Sequence, residues 1–317
     1  MSEKVAAVVV TYNRKELLIE CLEAIRNQTH KLDTIFIIDN RSTDGTPEFL
    51  LAKSYIPKLP DASIAENQLI QNRIPFLNSP SENIDINYLR KSENDGGAGG
   101  FYEGMKQAYE AGYHWLWLMD DDGLPSLNCL ENLLRYGKIG IIDYIAPNII
   151  DEHGLSIFSD KFSQSNIATI QYYGGPFNGI LLSKYLLEKI GLPIKEFFIW
   201  GDEVEYRNRI IENGFITVTI KEAEHFHHRT GFNYKKVPRV YYFSRNLVFC
   251  AKLFKGVYRS KIIHLLGVTK TLLKIIGFAI IALNLKQLKN SLKGIYHGYK
   301  TNIQDCQIKA INTFNKS

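Results

Sequence analysis

Short apolar runs recur along the first half of the chain, each ending in polar turn chemistry, with helical spacing between them. Val5 to Val10 is continuous and β-branched, which predicts a buried strand. Leu17, Leu18, Cys21, Leu22 and Ile25 then recur at helical intervals, with Asn13 as the expected cap and Glu16 completing a capping box. Thr34 to Ile38 predicts a second strand that ends in Asp39-Asn40. Turn residues follow from Arg41 to Gly45, and Thr46-Pro47 opens another helix. Strand alternating with helix implies an α/β fold with parallel pairing and right-handed crossovers.

Ala52 to Asp85 is punctuated by four prolines and reads as a surface excursion. Ile86 to Arg90 predicts a third strand, leading to Asn94-Asp95-Gly96-Gly97-Ala98-Gly99-Gly100. Phe101, Met105, Ala108 and Tyr109 then mark one helix face. Glycines before a helix let a ligand approach backbone N–H groups and favour anions, although a tight ligand-free turn explains them too. The segment matches neither the dinucleotide fingerprint nor the P-loop.

The apolar run Trp115 to Met119 stops abruptly in Asp120, Asp121 and Asp122. Three adjacent carboxylates repel one another unless a positive charge sits with them. The carboxyl ends of strands in open α/β sheets are where ligands bind, so a divalent cation carrying a diphosphate suits this place. The alternative is a solvated acidic turn. Leu127 to Tyr136 reads as helix, and Gly140 to Ile150 contains a strand. Tyr173 to Gly179 includes Asn178, which either lines an acceptor pocket or punctuates a loop.

A second chemical cluster runs from Phe197 to Tyr206, where aromatic residues lead into Asp202, Glu203 and Glu205. Acids at a helix start can serve the macrodipole. A carboxylate beside apolar rings instead gains proton affinity and can act as a general base. After a strand from Phe215 to Ile220 come His225, His227 and His228. On a continuing strand the first two share a face, and imidazole suits Mn²⁺ or Zn²⁺.

Charge alters this picture in the tail. The net charge of +5 is uneven, because from Ala251 onward twelve Lys and Arg stand against the single acid Asp305. From Val240 the pattern becomes long helices. Within the apolar stretch Ile262 to Leu285 the longest uncharged piece, Ile275 to Leu285, is shorter than the roughly 20 residues a bilayer span needs. A basic amphipathic helix lying on an anionic membrane surface fits, with a domain-packing or dimerisation helix as the alternative. The basic residues alternate with aliphatics and form no nucleic-acid motif. Cys21, Cys129, Cys250 and Cys306 form no disulfide pattern, which points to free thiols in a reducing compartment. The N-terminus begins with a strand pattern and not a signal peptide.

Together, VVVTYNR, IIDNRSTDGT, NDGGAGGF, WLMDDD, WGDEVEY and the late histidines resemble the inverting nucleotide-sugar glycosyltransferases of family two, which have the GT-A fold. The glycine segment with the triple aspartate looks most like the galactofuranosyltransferases and their rhamnosyltransferase relatives. The resemblance implies a GT-A catalytic domain over 1–238 and a basic helical region over 239–317. It implies that Thr11, Tyr12, Arg14, Asp39, Asn94, Gly96, Gly97, Gly99 and Asp121 border the donor nucleotide. Asp120, Asp122 and His227, with His228 as fallback, would hold Mn²⁺ or Mg²⁺. Asp202 would be the catalytic base, with Glu203 or Glu205 as alternatives, and Trp200, Asn178 and Glu203 would face the acceptor. The implied activity transfers a sugar, foremost galactofuranose from its UDP donor, to a hydroxyl of a growing lipid-linked cell-surface polysaccharide. The enzyme would sit on the inner face of the cell membrane and could form a homo-oligomer. Another donor sugar, or a non-catalytic sugar-nucleotide-binding protein, is the rival reading.

Overall fold

Val5–Thr11 (β1) is buried along its whole length, and the sheet is registered against it on both sides. The computed structural model describes residues 3–137, 142–156, 169–171, 177–227, 239–256 and 260–314. On one side β1 pairs in parallel with Thr34–Asp39 (β2), which pairs in parallel with Asn83–Arg90 (β4). On the other it pairs in parallel with Trp115–Asp120 (β5). The register aligns Thr11 with Asp39, Asp39 with Arg90 and Val10 with Asp120, so the polar strand ends share one sheet edge.

Parallel strands need crossovers, and these are Lys15–Arg26 (α1), Thr46–Ala52 (α2) and Gly96–Glu110 (α3). Side chains alternate across β1. Ala7 and Val9 join Leu18, Leu22 and Ile25 of α1 in one core, while Ala6, Val8 and Val10 join Phe101 and Met105 of α3 in the other. Burial on both faces is why these strands read as unbroken apolar runs. The close approach of α3 rests on glycine. A Cβ on Gly104 would meet Val8 Cγ1 at 2.3 Å, and one on Gly100 would meet Val10 Cγ1 at 2.4 Å.

Asn13 does not cap α1. It adopts φ +56°, the N-cap position is Arg14, and the Asn13 side chain bonds Thr43 across the neighbouring loop. The stretch read as an excursion also differs: Gln68–Pro75 (β3) is an antiparallel edge strand on β4, and Ile70, Ile74 and Phe76 enter the core.

Leu124–Pro125 (β6) follows the aspartates, then Cys129–Gly137 (α4) and Tyr144–Ile150 (β7). Thr169–Gln171 (β8) pairs with Thr217–Phe226 (β10). Ile180–Ser183 (β9) is antiparallel to β5 and β7 and leads into Lys184–Ile190 (α5), capped by Ser183. Asp202–Glu212 (α6) precedes β10, which runs six residues past the expected end at Ile220 and is parallel to β7.

The tail is helical: Val240–Leu253 (α7), Lys261–Ile281 (α8), Leu285–Lys300 (α9) and Ile303–Ile311 (α10). The expected boundary at 238/239 falls at the edge of a segment outside the described residues. Phe249, Leu253, Ile303 and Ala310 share a core with Ala98, Ile194 and Phe197 of the sheet-bearing part. Helix α8 covers most of the expected apolar stretch. Its 21 residues run unbroken through Lys270 and Lys274, so by length and composition it can cross a membrane. Lysines interrupt a sequence count without ending a helix, since their stems can lie along apolar surface. Ile262, Leu266, Leu273 and Ile281 are exposed on it.

Candidate active site

Three polar segments meet beyond the carboxyl ends of β1, β2 and β5. The first is the aspartate run. Asp121 is buried and accepts hydrogen bonds from Thr11 Oγ1 (2.7 Å), Arg14 Nη1 (3.2 Å) and the Tyr12 N–H (3.4 Å). Burial outweighs these donors and holds its carboxyl up, to about 6. Arg14 Nη1 also donates to Asp122 Oδ2 at 2.6 Å. Burial opposes the charged form of Asp122, but His227 and Arg14 outweigh it and its pKa is lowered. Asp120, at the last position of β5, is pushed well above the carboxylate range by burial and by the charges of Asp122 and Asp121.

The second segment is the end of β10. Strand β6, directly after the aspartates, pairs with β10 so that Leu124 faces Phe226 and Pro125 faces His225. This pairing delivers His227 to the aspartates, with Nε2 3.5 Å from Asp122 Oδ1. The histidines have different fates. His225 is fully buried, its Nε2 is 2.7 Å from Asn178 Oδ1, and burial lowers its pKa to about 3. A Cβ on Gly123 would lie 2.4 Å from His225 Nε2, so His225 and Asn178 fill the space under the aspartate turn. Asn178 is buried and supports the aspartate turn from below. The shared face expected for His225 and His227 ends with β10 at Phe226. His228 and Tyr173 to Pro176 lie outside the described residues.

The third segment carries Asp202, the first residue of α6, which is 5% exposed. Burial, the charge and hydrogen bond of Glu203, and the charge of Asp120 together raise its pKa well above the carboxylate range. Glu203 in turn acts on Asp120, so the base candidate and the aspartate run lie in one another's electrostatic field. Glu205 is committed elsewhere: it is buried, ion-paired to Arg209 at 2.9 Å, and accepts a hydrogen bond from Gln307 of α10. Trp200 is half-buried with φ +64° and meets Phe243 edge-on at 6.0 Å.

The glycine segment forms the first turns of α3 and not a loop before it. Gly96 has φ +76°, and a Cβ there would lie 1.9 Å from the Phe198 carbonyl oxygen. A Cβ on Gly99 would collide with Asp95. At Gly97 it would meet nothing within 4 Å among the described residues, so there Gly97 presents open space where a ligand can approach. Asn94 Oδ1 accepts from the Gly96 N–H at 2.9 Å and shapes this turn. Asp39 is fully buried and takes hydrogen bonds from Tyr88 Oη (2.6 Å), Arg90 Nη1 (2.7 Å) and the Ser42 N–H (2.7 Å). With three donors on it, Asp39 orders the loop after β2, while Tyr12 is 40% exposed.

Among the described residues no group of three or more His, Cys, Asp and Glu could hold a metal ion by itself. The residues present nonetheless suit a divalent cation in part. Among the described residues Asp122 Oδ1 is buried without a hydrogen bond, and the His227 imidazole faces it. Carboxylate oxygen with imidazole nitrogen is a donor set that Mn²⁺ accepts, and phosphate oxygens and water commonly complete such spheres.

Residues 6–68 and 76–152 match the family model described as Glycosyl transferase family 2. This match covers less than half of the chain and, with the relatives below, makes the chain similar to family 2 enzymes and supports a glycosyltransferase. It is 28% identical over 244 residues to galactofuranosyltransferase GlfT1 of Mycolicibacterium smegmatis, covering 71% of each chain. It is also 28% identical over 242 residues to galactofuranosyltransferase GlfT1 of Mycobacterium tuberculosis, covering 72% of this chain and 71% of that one. Its fold is that of GT-A enzymes. The mannosyltransferase PcManGT from Pyrobaculum calidifontis, solved with GDP-Man and Mn²⁺, superposes with a TM-score of 0.56 at 16% identity. The match covers 100% of this chain and 89% of that one. TarS residues 1–349 of S. aureus superpose with a TM-score of 0.56 at 11% identity, covering 99% of this chain and 92% of that one.

The sequence reading of this glycosyltransferase missed the residues that hold its site in place. Tyr88 and Arg90 fix Asp39, and Arg245 and Asn246 of α7 bond the backbone before Asp202. A signal existed, because Ser244-Arg245-Asn246 is a polar run between the aromatic and apolar residues 241–243 and 247–250.

Proposed function

We propose that this glycosyltransferase is an inverting, metal-dependent enzyme that transfers galactofuranose from UDP-galactofuranose to a hydroxyl of a growing, lipid-linked cell-surface polysaccharide. The observation that supports the reading is that the charge of Asp120 acts on Asp202 and that of Glu203 acts on Asp120, as expected for a proton acceptor near acids that would hold a metal diphosphate. The mycobacterial galactofuranosyltransferases, matched over about 70% of the chain, support the choice of sugar.

Thr11, Tyr12, Arg14, Asn94 and Gly97 would border the nucleotide and diphosphate, with the N-terminus of α3 favouring the anion. Asp39 and Asp121 would hold that pocket in shape. Asp120, Asp122 and His227 would hold Mn²⁺ or Mg²⁺, which when bound would supply positive charge to offset the negative charge growing on the leaving diphosphate. Asp202 accepts the proton of the acceptor hydroxyl as that oxygen attacks the anomeric carbon. The bond from that carbon to the diphosphate oxygen breaks, and its electron pair leaves with the nucleotide. One displacement inverts the configuration. Burial beside Glu203 gives Asp202 the proton affinity a base requires. Trp200 and Glu203 would face the acceptor sugar.

In this reading residues 1–238 form the catalytic domain. The basic helices of 239–317 meet the cytoplasmic membrane surface, where a lipid-linked acceptor resides. The exposed apolar residues of α8 and the lysines of α8 and α9 support that placement. A panel of nucleotide sugars, with nucleotide diphosphate release measured with and without Mn²⁺, tests the reading. Metal-dependent turnover of UDP-galactofuranose is expected. Preference for UDP-galactopyranose, UDP-glucose or a rhamnose donor would overturn the sugar, and donor binding without turnover of any of them would overturn the enzyme.

A further inference from the structure

The backbone that delivers Asp202 is held in a conformation side chains ordinarily avoid. Phe198 has φ +65°, Trp200 φ +64° and Gly201 φ +90°, so three of the four residues before Asp202 are left-handed. Bulky residues take up this region only where the surroundings over-determine it. Here the surroundings are one face of α7. Asn246, 2% exposed, directs Nδ2 at the carbonyls of Phe197 (2.9 Å), Ile199 (2.8 Å) and Trp200 (2.7 Å). Its amide orientation is fixed because Oδ1 accepts from Arg245 Nε, which can only donate. Arg245 Nη2 donates to the carbonyls of Glu196 and Phe197, both at 2.7 Å. One turn earlier Tyr242 stacks on Phe198 with ring centroids 4.5 Å apart, and one turn later Phe249 meets Phe197 edge-on at 5.4 Å.

The same turn reaches the donor side. The Phe198 carbonyl accepts from the Ala98 N–H in the first turn of α3, beside the open space at Gly97. The aromatic turn therefore joins the glycine-started helix, the base candidate and the C-terminal helices.

We infer that Asn246 is a positioning residue, whose amide locks the left-handed turn Phe198–Gly201 and so presents Asp202 to the acceptor hydroxyl. The C-terminal region is then part of the catalytic unit, whatever membrane contact it also makes. This rests on the reading of Asp202 as the base.

The test uses the full chain with Asn246→Ala, Asn246→Asp, Ser244→Ala and Asp202→Asn. Ser244 lies on the same helix but bonds Ser291 of α9 at 2.9 Å, so it reports loss of helix packing without loss of the turn. For Asn246→Ala kcat falls by about 10²-fold, the scale of a roughly 1 Å misplacement, while UDP affinity by calorimetry stays within about twofold. Asn246→Asp, with no amide hydrogens to donate, falls at least as far. Hydrogen exchange, which needs no activity, speeds up at residues 197–203 in both Asn246 variants and stays slow in β1 and β5. Ser244→Ala shows neither the kcat loss nor the exchange change. The inference is overturned if Asn246→Ala retains wild-type turnover while Asp202→Asn is impaired. It is equally overturned if turnover and affinity fall together, or if Ser244→Ala reproduces the loss. Wild-type turnover in Asp202→Asn would instead overturn the base reading, and the exchange data would still decide whether Asn246 fixes the turn.

Discussion

His227 Nε2 lies 3.5 Å from Asp122 Oδ1, brought there by the two-residue pairing of β6 with the end of β10. That oxygen is buried and accepts no hydrogen bond among the described residues. If the pair grips a cation, His227→Ala weakens Mn²⁺-dependent UDP binding by at least the roughly 10–100-fold that removal of a mere outer partner costs. Titration calorimetry with Mn²⁺ and with chelator checks it. Equal affinities in wild type and variant under both conditions would speak against a metal role.

The glycines of α3 divide into packing and access positions. Gly104→Ala forces a methyl against Val8 and Ile38 and should cost about 1–3 kcal/mol of stability. Gly97→Ala meets nothing and should leave Tm unchanged while weakening UDP binding. Thermal melts and calorimetry on both variants separate the roles. A Gly97→Ala protein with wild-type affinity would remove this residue from the donor site.

The acids of α6 should respond oppositely in stability. Glu205 and Arg209 are a buried pair, and Glu205→Ala strands the guanidinium at a cost of about 3–5 kcal/mol. Asp202 has a raised folded-state pKa, so the native state keeps its proton to a higher pH than the unfolded chain does. Its contribution is fully present below the ordinary carboxylate pKa and is lost as pH rises toward the folded value, at about 1.4 kcal/mol per pH unit for one proton. Asp202→Asn should therefore melt higher than wild type at neutral pH, with the gain vanishing near pH 4. Denaturant curves at both pH values measure this, and a neutral-pH loss for Asp202→Asn would contradict it.

Helix α8 exposes Leu266 and Leu273 beside its lysines. Flotation with vesicles containing anionic phospholipid should carry the protein upward, more weakly in high salt, since each near-surface basic residue adds about 1 kcal/mol. Leu266→Glu with Leu273→Glu should abolish flotation without changing UDP affinity. A double variant that still floats would place the contact elsewhere.

The strand ends and the acid clusters could be read in the sequence because burial on both faces leaves β1, β2 and β5 as pure apolar runs with abrupt polar stops. Strand β3 could not, since an edge strand buries only Ile70 and Ile74 on one face, and its polar face and flanking prolines look like loop. Spacing alone could not divide the labour among neighbours of like chemistry. His225 and His227, or Glu203 and Glu205, are separated only by which side of a strand end or helix faces the cleft. Gly97 and Gly99 likewise look alike until Asp95 occupies the space beside one of them.

The central claim is that Asp202 takes a proton from the acceptor while the other acids serve the donor. The direct measurement is turnover and donor affinity of Asp202→Asn side by side. The account predicts a fall in kcat of about 10²–10⁴-fold with UDP-sugar affinity retained. Wild-type turnover, or an equal fall in binding and turnover, would contradict it.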